Sequence, residues 1–341
     1  MRRPAAAAAA LLLAVPVLLL GSPAARADEE PKKLFTMADE RITESSGLAR
    51  SAGHEGIWWT VNDSSDSARV FAVNADGEVE ATLTFGADAR DVEAIAVGTD
   101  GNIYVADIGD NLRDQEKVTV YVIKEPEDLS DQQVKYRAYD FDYPDGSHNA
   151  EALLVEPKTN RLFIVTKEGT GAAIYSLGKG VAPSRREANK LSRMGTAPSI
   201  VTDGTFTPDG RWMILRDPTA MSVWSWPGAK TKLSTRLPLQ PLGESIAMGP
   251  DDKSVLIGSE GRNSAVYQVT IPTTKAATPA TPTPQSASGS GATDSDKSHT
   301  MRWTLIGAGG FAALMAMFTF PKGRRERADA MLEGQRTRST M

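Results

Sequence analysis

Ser46-Gly47-Leu48-Ala49, Glu93-Ala94-Ile95-Ala96, Glu151-Ala152-Leu153-Leu154, Asp203-Gly204-Thr205-Phe206 and Glu244-Ser245-Ile246-Ala247 are five versions of one phrase. An oxygen-bearing side chain comes first, a small residue second, and an apolar pair follows in four of the five copies. Successive copies start 47, 58, 52 and 41 residues apart. Self-similarity at that period predicts an all-β fold, a β-propeller in which each copy opens one blade.

The intervening sequence agrees with this. From Leu34 to Ile271 short β-rich runs alternate with Gly, Asp, Asn and Pro turns, with no long helical period. Asn74-Ala75-Asp76-Gly77, Thr99-Asp100-Gly101-Asn102 and Thr207-Pro208-Asp209-Gly210 read as tight turns between strands. Four units each hold four such runs, and the fifth stops one short after Ala265–Ile271. Lys33-Leu34-Phe35-Thr36-Met37 precedes the first phrase as Ala81–Phe85 precedes the second, so this N-terminal strand is expected to complete the last blade. Closing the ring removes exposed sheet edges. Five four-stranded blades follow, and six is the competing count because Asp110–Asp131 has room for another hairpin.

Beyond the propeller, 28–272, the chain reads as a single-pass membrane protein. Residues 1–27 carry Arg2 and Arg3, an apolar core and Ala25-Arg26-Ala27, the pattern of a secretory signal peptide. Residues 273–301 are a Thr, Pro, Ser and Gly-rich linker with a reach of roughly 30 Å. A transmembrane helix is expected over 302–321, because Trp303–Phe320 is uncharged and about 27 Å long as a helix. The tail 322–341 opens with Lys322, Arg324, Arg325 and Arg327, which places it on the cytoplasmic side and the N-terminus outside. The expected location is the cell membrane, with an extracellular propeller.

Composition narrows the chemistry. Without cysteine there are no disulfides, thiolate metal sites or Cys nucleophile, and a total of three histidines argues against a His-built zinc site. Residues 28–302 hold 29 basic and 40 acidic residues, an excess that disfavours nucleic acid and suits cations.

In a propeller the first strand of each blade lines the central channel and begins on the face where the second strand ends. Ser46, Glu93, Glu151, Asp203 and Glu244 therefore share one level around the axis. Two carboxylates about 5 Å apart repel by roughly 3 kcal/mol at an effective dielectric of 20. Four in one funnel must protonate in part or enclose a cation, and an all-oxygen set favours calcium. The competing role for each is capping backbone amides or binding water. Glu44 and Asp91 lie close by in sequence. Loops after the second strands bring Asp63, Asp107, Asp110, Lys167, Arg216 and Glu260 to the same rim. Asp63 or Asp110 has the chemistry of a general base, Lys167 and Arg216 that of an anion grip, and Asp107 and Glu260 are further ligand candidates. His148 stands on the approach to Glu151 and reads as a hydrogen-bonding loop residue. No nucleophile elbow, P-loop or dinucleotide fingerprint occurs.

Ser45-Ser46-Gly47-Leu48 with Trp59–Asp63, Asp107-Ile108-Gly109-Asp110-Asn111 and Phe206–Gly210 resemble secreted bacterial propellers of the WD40-like or TolB-like kind, over about 40–271. The channel ring also resembles that of the five-bladed calcium-activated nucleotidase (apyrase) family, whose central calcium is held by Ser and Glu, one per blade. Ser46, Glu93, Glu151 and Glu244 match in type and order, whereas Asp203 stands where that family has a second Ser. Asn62-Asp63 falls where the family has an Asp-Asp pair followed by Arg, and the substrate-gripping Lys and Trp loops have no counterpart. The resemblance implies calcium more than nucleotide hydrolysis. The expected function is a membrane-anchored binding or scaffold module with calcium in its channel, taking a surface protein or a small anionic ligand. The alternative is a calcium-dependent hydrolase of phosphate or other esters.

Overall fold

The computed structural model describes residues 31–63, 66–228 and 230–273. The signal, the linker beyond its first residue, the expected membrane span and the basic tail lie outside them. The described chain is a five-bladed propeller without helices. Blade 1 is built from Ser45–Arg50, Ile57–Asn62, Arg69–Asn74 and Val79–Thr84, from the axis outward. Blade 2 is Val92–Val97, Asn102–Asp107, Val118–Lys124 and Tyr136–Asp142. Blade 3 is Ala150–Val155, Leu162–Thr166, Ala173–Ser176 and Ser192–Thr196, and blade 4 is Asp203–Phe206, Trp212–Arg216, Ala220–Ser225 and Lys230–Arg236. Blade 5 is Gly243–Met248, Ser254–Ser259 and Ser264–Thr270, and its fourth strand is Lys32–Met37.

That N-terminal strand closes the ring as expected. It pairs antiparallel with Ser264–Thr270, Phe35 opposite Val266 and Met37 opposite Ser264. Phe35 and Met37 are buried, and the Phe35 ring lies 6.1 Å from that of Trp58 in blade 1. The closing strand thus seals one blade with hydrogen bonds and the next blade interface with apolar area.

The Asp110–Asp131 region holds no sixth blade. It supplies a loop, the third strand of blade 2 and a turn to Gln132–Gln133, which adds two parallel pairs outside blade 1. Asn189–Lys190 does the same outside blade 2. With Asn189–Lys190 taken up by blade 2, the outer strand of blade 3 begins only at Ser192 and runs to Thr196. Leu191 explains the late start, since it is buried in the apolar cluster between blades 2 and 3 and its N–H donates to the Asp142 carbonyl at 2.9 Å.

Among the described residues, buried apolar side chains form five clusters, each spanning one blade interface. The small second residue of the phrase has a packing reason. A Cβ on Gly47 would lie 2.8 Å from the Ile95 nitrogen, and one on Gly204 would lie 2.8 Å from Leu215 Cδ2 and 3.0 Å from Leu154 Cδ1. Innermost strands crowd each other at the axis, and only small residues fit there. The two ends of the channel differ in chemistry. One carries the phrase carboxylates, and the other opens as a cavity of about 160 Å³ lined by apolar residues such as Leu48, Ile95 and Met248 together with Arg50, Ser51, Thr99 and Thr205.

Candidate functional site: an acidic channel mouth with an internal lysine

The first residue of the phrase occupies an equivalent place in each blade. Ser46, Glu93, Glu151 and Glu244 are second residues of their innermost strands, Asp203 is the first of its own, and all five are buried. In four blades the pairing with the second strand shifts register across this position: between Ser45 and Gly47, Val92 and Ala94, Ala150 and Ala152, and Gly243 and Ile246. These are β-bulges, which leave a residue out of the ladder and re-aim its side chain. Blade 4 has no bulge, and Asp203 pairs directly with Arg216.

Asp203 accordingly behaves differently from the rest. Its Oδ1 accepts the Gly204 N–H at 2.7 Å and its Oδ2 accepts the Ile246 N–H at 2.8 Å. It stitches blade 4 to blade 5. Burial pushes its carboxyl well above the usual range, partly offset by those N–H groups and by the Arg216 charge.

Lys167 lies at the mouth itself. Its ammonium contacts Glu151 Oε2 and stands 3.8 Å from Glu244 Oε1, with its side chain 11% exposed. Burial works against the ammonium, but the charges of Glu151, Glu244 and Glu93 prevail and raise its pKa. The sequence places this residue on the rim; the structure moves it inward, because the second strand of blade 3 ends beside Glu151.

On the opposite side of the mouth, Asp63, Asp91 and Glu93 present carboxylate oxygens within 4.8 Å of one another. Ser46 Oγ donates to the Glu93 carbonyl at 2.9 Å and reaches its Oε2 at 3.3 Å. Gly109 is the wall of this cluster: a Cβ there would lie 2.4 Å from Asp91 Oδ2 and 2.7 Å from Glu93 Oε1. Burial drives the Glu93 carboxyl well above its usual range, and the charges of Glu151, Asp63 and Asp91 push it further. Glu244 is raised well above its range and Glu151 is raised, burial leading in both, with Lys167 opposing. Among the described residues, five carboxylates thus face one ammonium. Protonation or a second cation relieves the excess.

The remaining rim candidates are held by the protein. Arg216 is fully buried between blades 4 and 5, where its guanidinium donates to the Ser245 carbonyl at 2.5 Å, the Gly258 carbonyl at 2.8 Å and Gln240 Oε1 at 2.7 Å. Burial lowers its pKa to about 10, with Glu244 and Asp203 opposing. Asp110 accepts the N–H groups of Asp114 and Gln115, both at 3.0 Å, and so ties its own loop. Asp107 accepts the N–H groups of Arg90 at 3.1 Å and Asp91 at 2.8 Å, which positions Asp91 at the mouth. Asp63 joins the carboxylate cluster, its N–H donating to the Glu44 carbonyl at 2.9 Å. Glu260 stands near enough to Glu244 to raise it.

The mouth therefore splits into a blade 3–5 half closed by Lys167 and a blade 1–2 half made of oxygen donors. No sequence signal distinguishes Lys167 from a solvated rim lysine. Asp91 is legible only as a neighbour of Glu93. Compared with protein families and with curated proteins, the chain matches none.

Proposed function

We propose that this protein is an extracytoplasmic binding module, tethered to the membrane by residues 302–321, whose channel mouth holds a divalent cation of the calcium type. The observation that supports it is the oxygen cluster of Asp63, Asp91 and Glu93 beside Ser46, walled by the bare backbone of Gly109. Carboxylate and hydroxyl oxygens suit a hard cation. Ser46 and Glu93 remain in this donor set; Lys167 serves Glu151 and Glu244 in place of the ion, and Asp203 serves backbone. A cation bound there neutralises the blade 1–2 half and leaves an ordered, charged rim on which a surface protein or a small anionic ligand can dock.

Ester hydrolysis has less support. Asp110 and Arg216 make their bonds within the protein, which leaves Asp63 as the base of that reading. Thermal melts of the full-length protein in calcium, in magnesium and after chelation test the proposal. Calcium raises the melting temperature, and Glu93→Gln abolishes the increment. Identical melts in all three conditions, with no metal in the purified protein, overturn it. Turnover of nucleotides or p-nitrophenyl esters that needs calcium selects the hydrolase instead. Cell fractionation with and without residues 302–341 tests the tether.

A further inference from the structure

Residues 143–149 run from the outer strand of blade 2 to the innermost strand of blade 3. His148, near the end of this strap, has a carboxylate at each ring nitrogen. Nδ1 lies 2.7 Å from Glu168 Oε1, and Nε2 lies 3.1 Å from Asp145 Oδ1. The Tyr175 hydroxyl, on the third strand of blade 3, lies 2.8 Å from Asp145 Oδ2 and 3.1 Å from His148 Nε2. The Tyr143 and Tyr175 rings pack on the imidazole with centroids 5.1 and 5.3 Å away. Glu168 also faces Arg113 at 3.5 Å, from the loop that follows the second strand of blade 2. Asp110 is near Tyr143, and Arg193 is near Tyr175. Strap, blade 2 loop and blade 3 meet at this one cluster.

We infer that the strap is a proton-operated clasp. A neutral imidazole has one N–H and one lone pair; an imidazolium donates from both nitrogens. With the proton on, His148 donates to Glu168 and to Asp145, and the Tyr175 hydroxyl gives Asp145 a second donor. With the proton off, the ring keeps its N–H toward Glu168. Its Nε2 lone pair then faces Asp145, and the single Tyr175 hydroxyl proton turns to Nε2. Asp145 loses both donors, and the strap is then tied to blade 3 only by bonds of an uncharged ring, its N–H to Glu168 and the Tyr175 hydroxyl to Nε2, which are weaker than the charge-assisted pair. One proton leaves the ring for solvent, the Tyr175 hydroxyl changes acceptor, and no other covalent bond changes.

The clasp reaches the mouth through the next residue. The Asn149 carbonyl accepts the Lys167 N–H at 2.9 Å, and its side-chain oxygen accepts the Asp110 N–H at 2.7 Å. Its amide donates to Asn111 Oδ1 at 3.3 Å. Weakening of the strap is therefore felt at the backbone of Lys167. None of this requires a bound cation, so the clasp stands or falls apart from the cation reading.

Only three histidines are present, which makes ring protons directly readable. Histidine-labelled full-length protein, with the His148 signals assigned by His148→Gln, shows two slowly exchanging ring N–H protons at pH 5.5 and one at pH 8. Hydrogen exchange of the strap amides in 145–149, corrected for intrinsic rates, is about tenfold faster at pH 8 than at pH 5.5 in the wild type, the effect of one charge-assisted hydrogen bond. In His148→Gln the step disappears, and in Glu168→Gln it shrinks. A wild type with equal protection at both pH values overturns the clasp, as does a His148→Gln protein with the same step. A wild-type ring whose N–H protons do not change in number between the two pH values also overturns it, and that readout needs no variant to fold.

Discussion

Replacing Lys167 by methionine keeps the length of the side chain and removes the ammonium that faces Glu151 and Glu244. At 3.8 Å the pair with Glu244 is worth about 4 kcal/mol at an effective dielectric of 20, and the Glu151 contact is closer. Burial of the lysine opposes both, so the net loss is that of breaking a buried pair from one side, about 3–5 kcal/mol. For a domain of this size that corresponds to a fall of about 10 °C in melting temperature. The loss depends on pH with a definite sign. Glu151 and Glu244 are already raised by burial, and without Lys167 they rise further. A carboxyl whose pKa is higher folded than unfolded binds more protons in the native state, so stability falls as pH increases from the unfolded value of about 4.3 through the raised folded value. Lys167→Met is therefore most destabilised at pH 8 and approaches the wild type at pH 5. Circular-dichroism melts of both proteins across that range provide the measurement. An equal deficit at both ends, or none at pH 8, refutes the assignment of Lys167 as the internal counter-ion.

Three further outcomes follow from the same geometry. Asp203→Asn places an amide N–H against one of the main-chain donors of Gly204 and Ile246 and destabilises by about 1–3 kcal/mol in urea titration; an unchanged midpoint would show that the stitch between blades 4 and 5 contributes nothing. Gly109→Ala pushes a methyl into Asp91 and Glu93, so it removes any calcium-induced rise in melting temperature, and retention of the full rise would move the ion elsewhere. Deleting residues 1–38 strips the closing strand together with Phe35 and Met37, and the product is expected in the insoluble fraction; a soluble, cooperatively melting protein would mean that the ring holds without its seal.

The sequence by itself determined the ring. The phrase at 46, 93, 151, 203 and 244 marks the blade period, and Lys33–Met37 reads as the missing fourth strand, because both are local signals of residue type and spacing. It also located the level of the channel at which acidic groups gather. What those groups do was decided by tertiary structure. Bulges in four blades turn Ser46, Glu93, Glu151 and Glu244 out of the ladder, and the unbulged blade 4 leaves Asp203 bonding backbone. Arg216 ends the second strand of blade 4 and Lys167 follows that of blade 3, yet one is locked between blades by Gln240 and backbone carbonyls and the other reaches the mouth carboxylates. A bulge is a property of the pairing of two strands, and a counter-ion is chosen by distance across five blades. Neither is written in the spacing of residues along one chain, so the ring was legible while the division of its mouth between a lysine and an oxygen cluster was not.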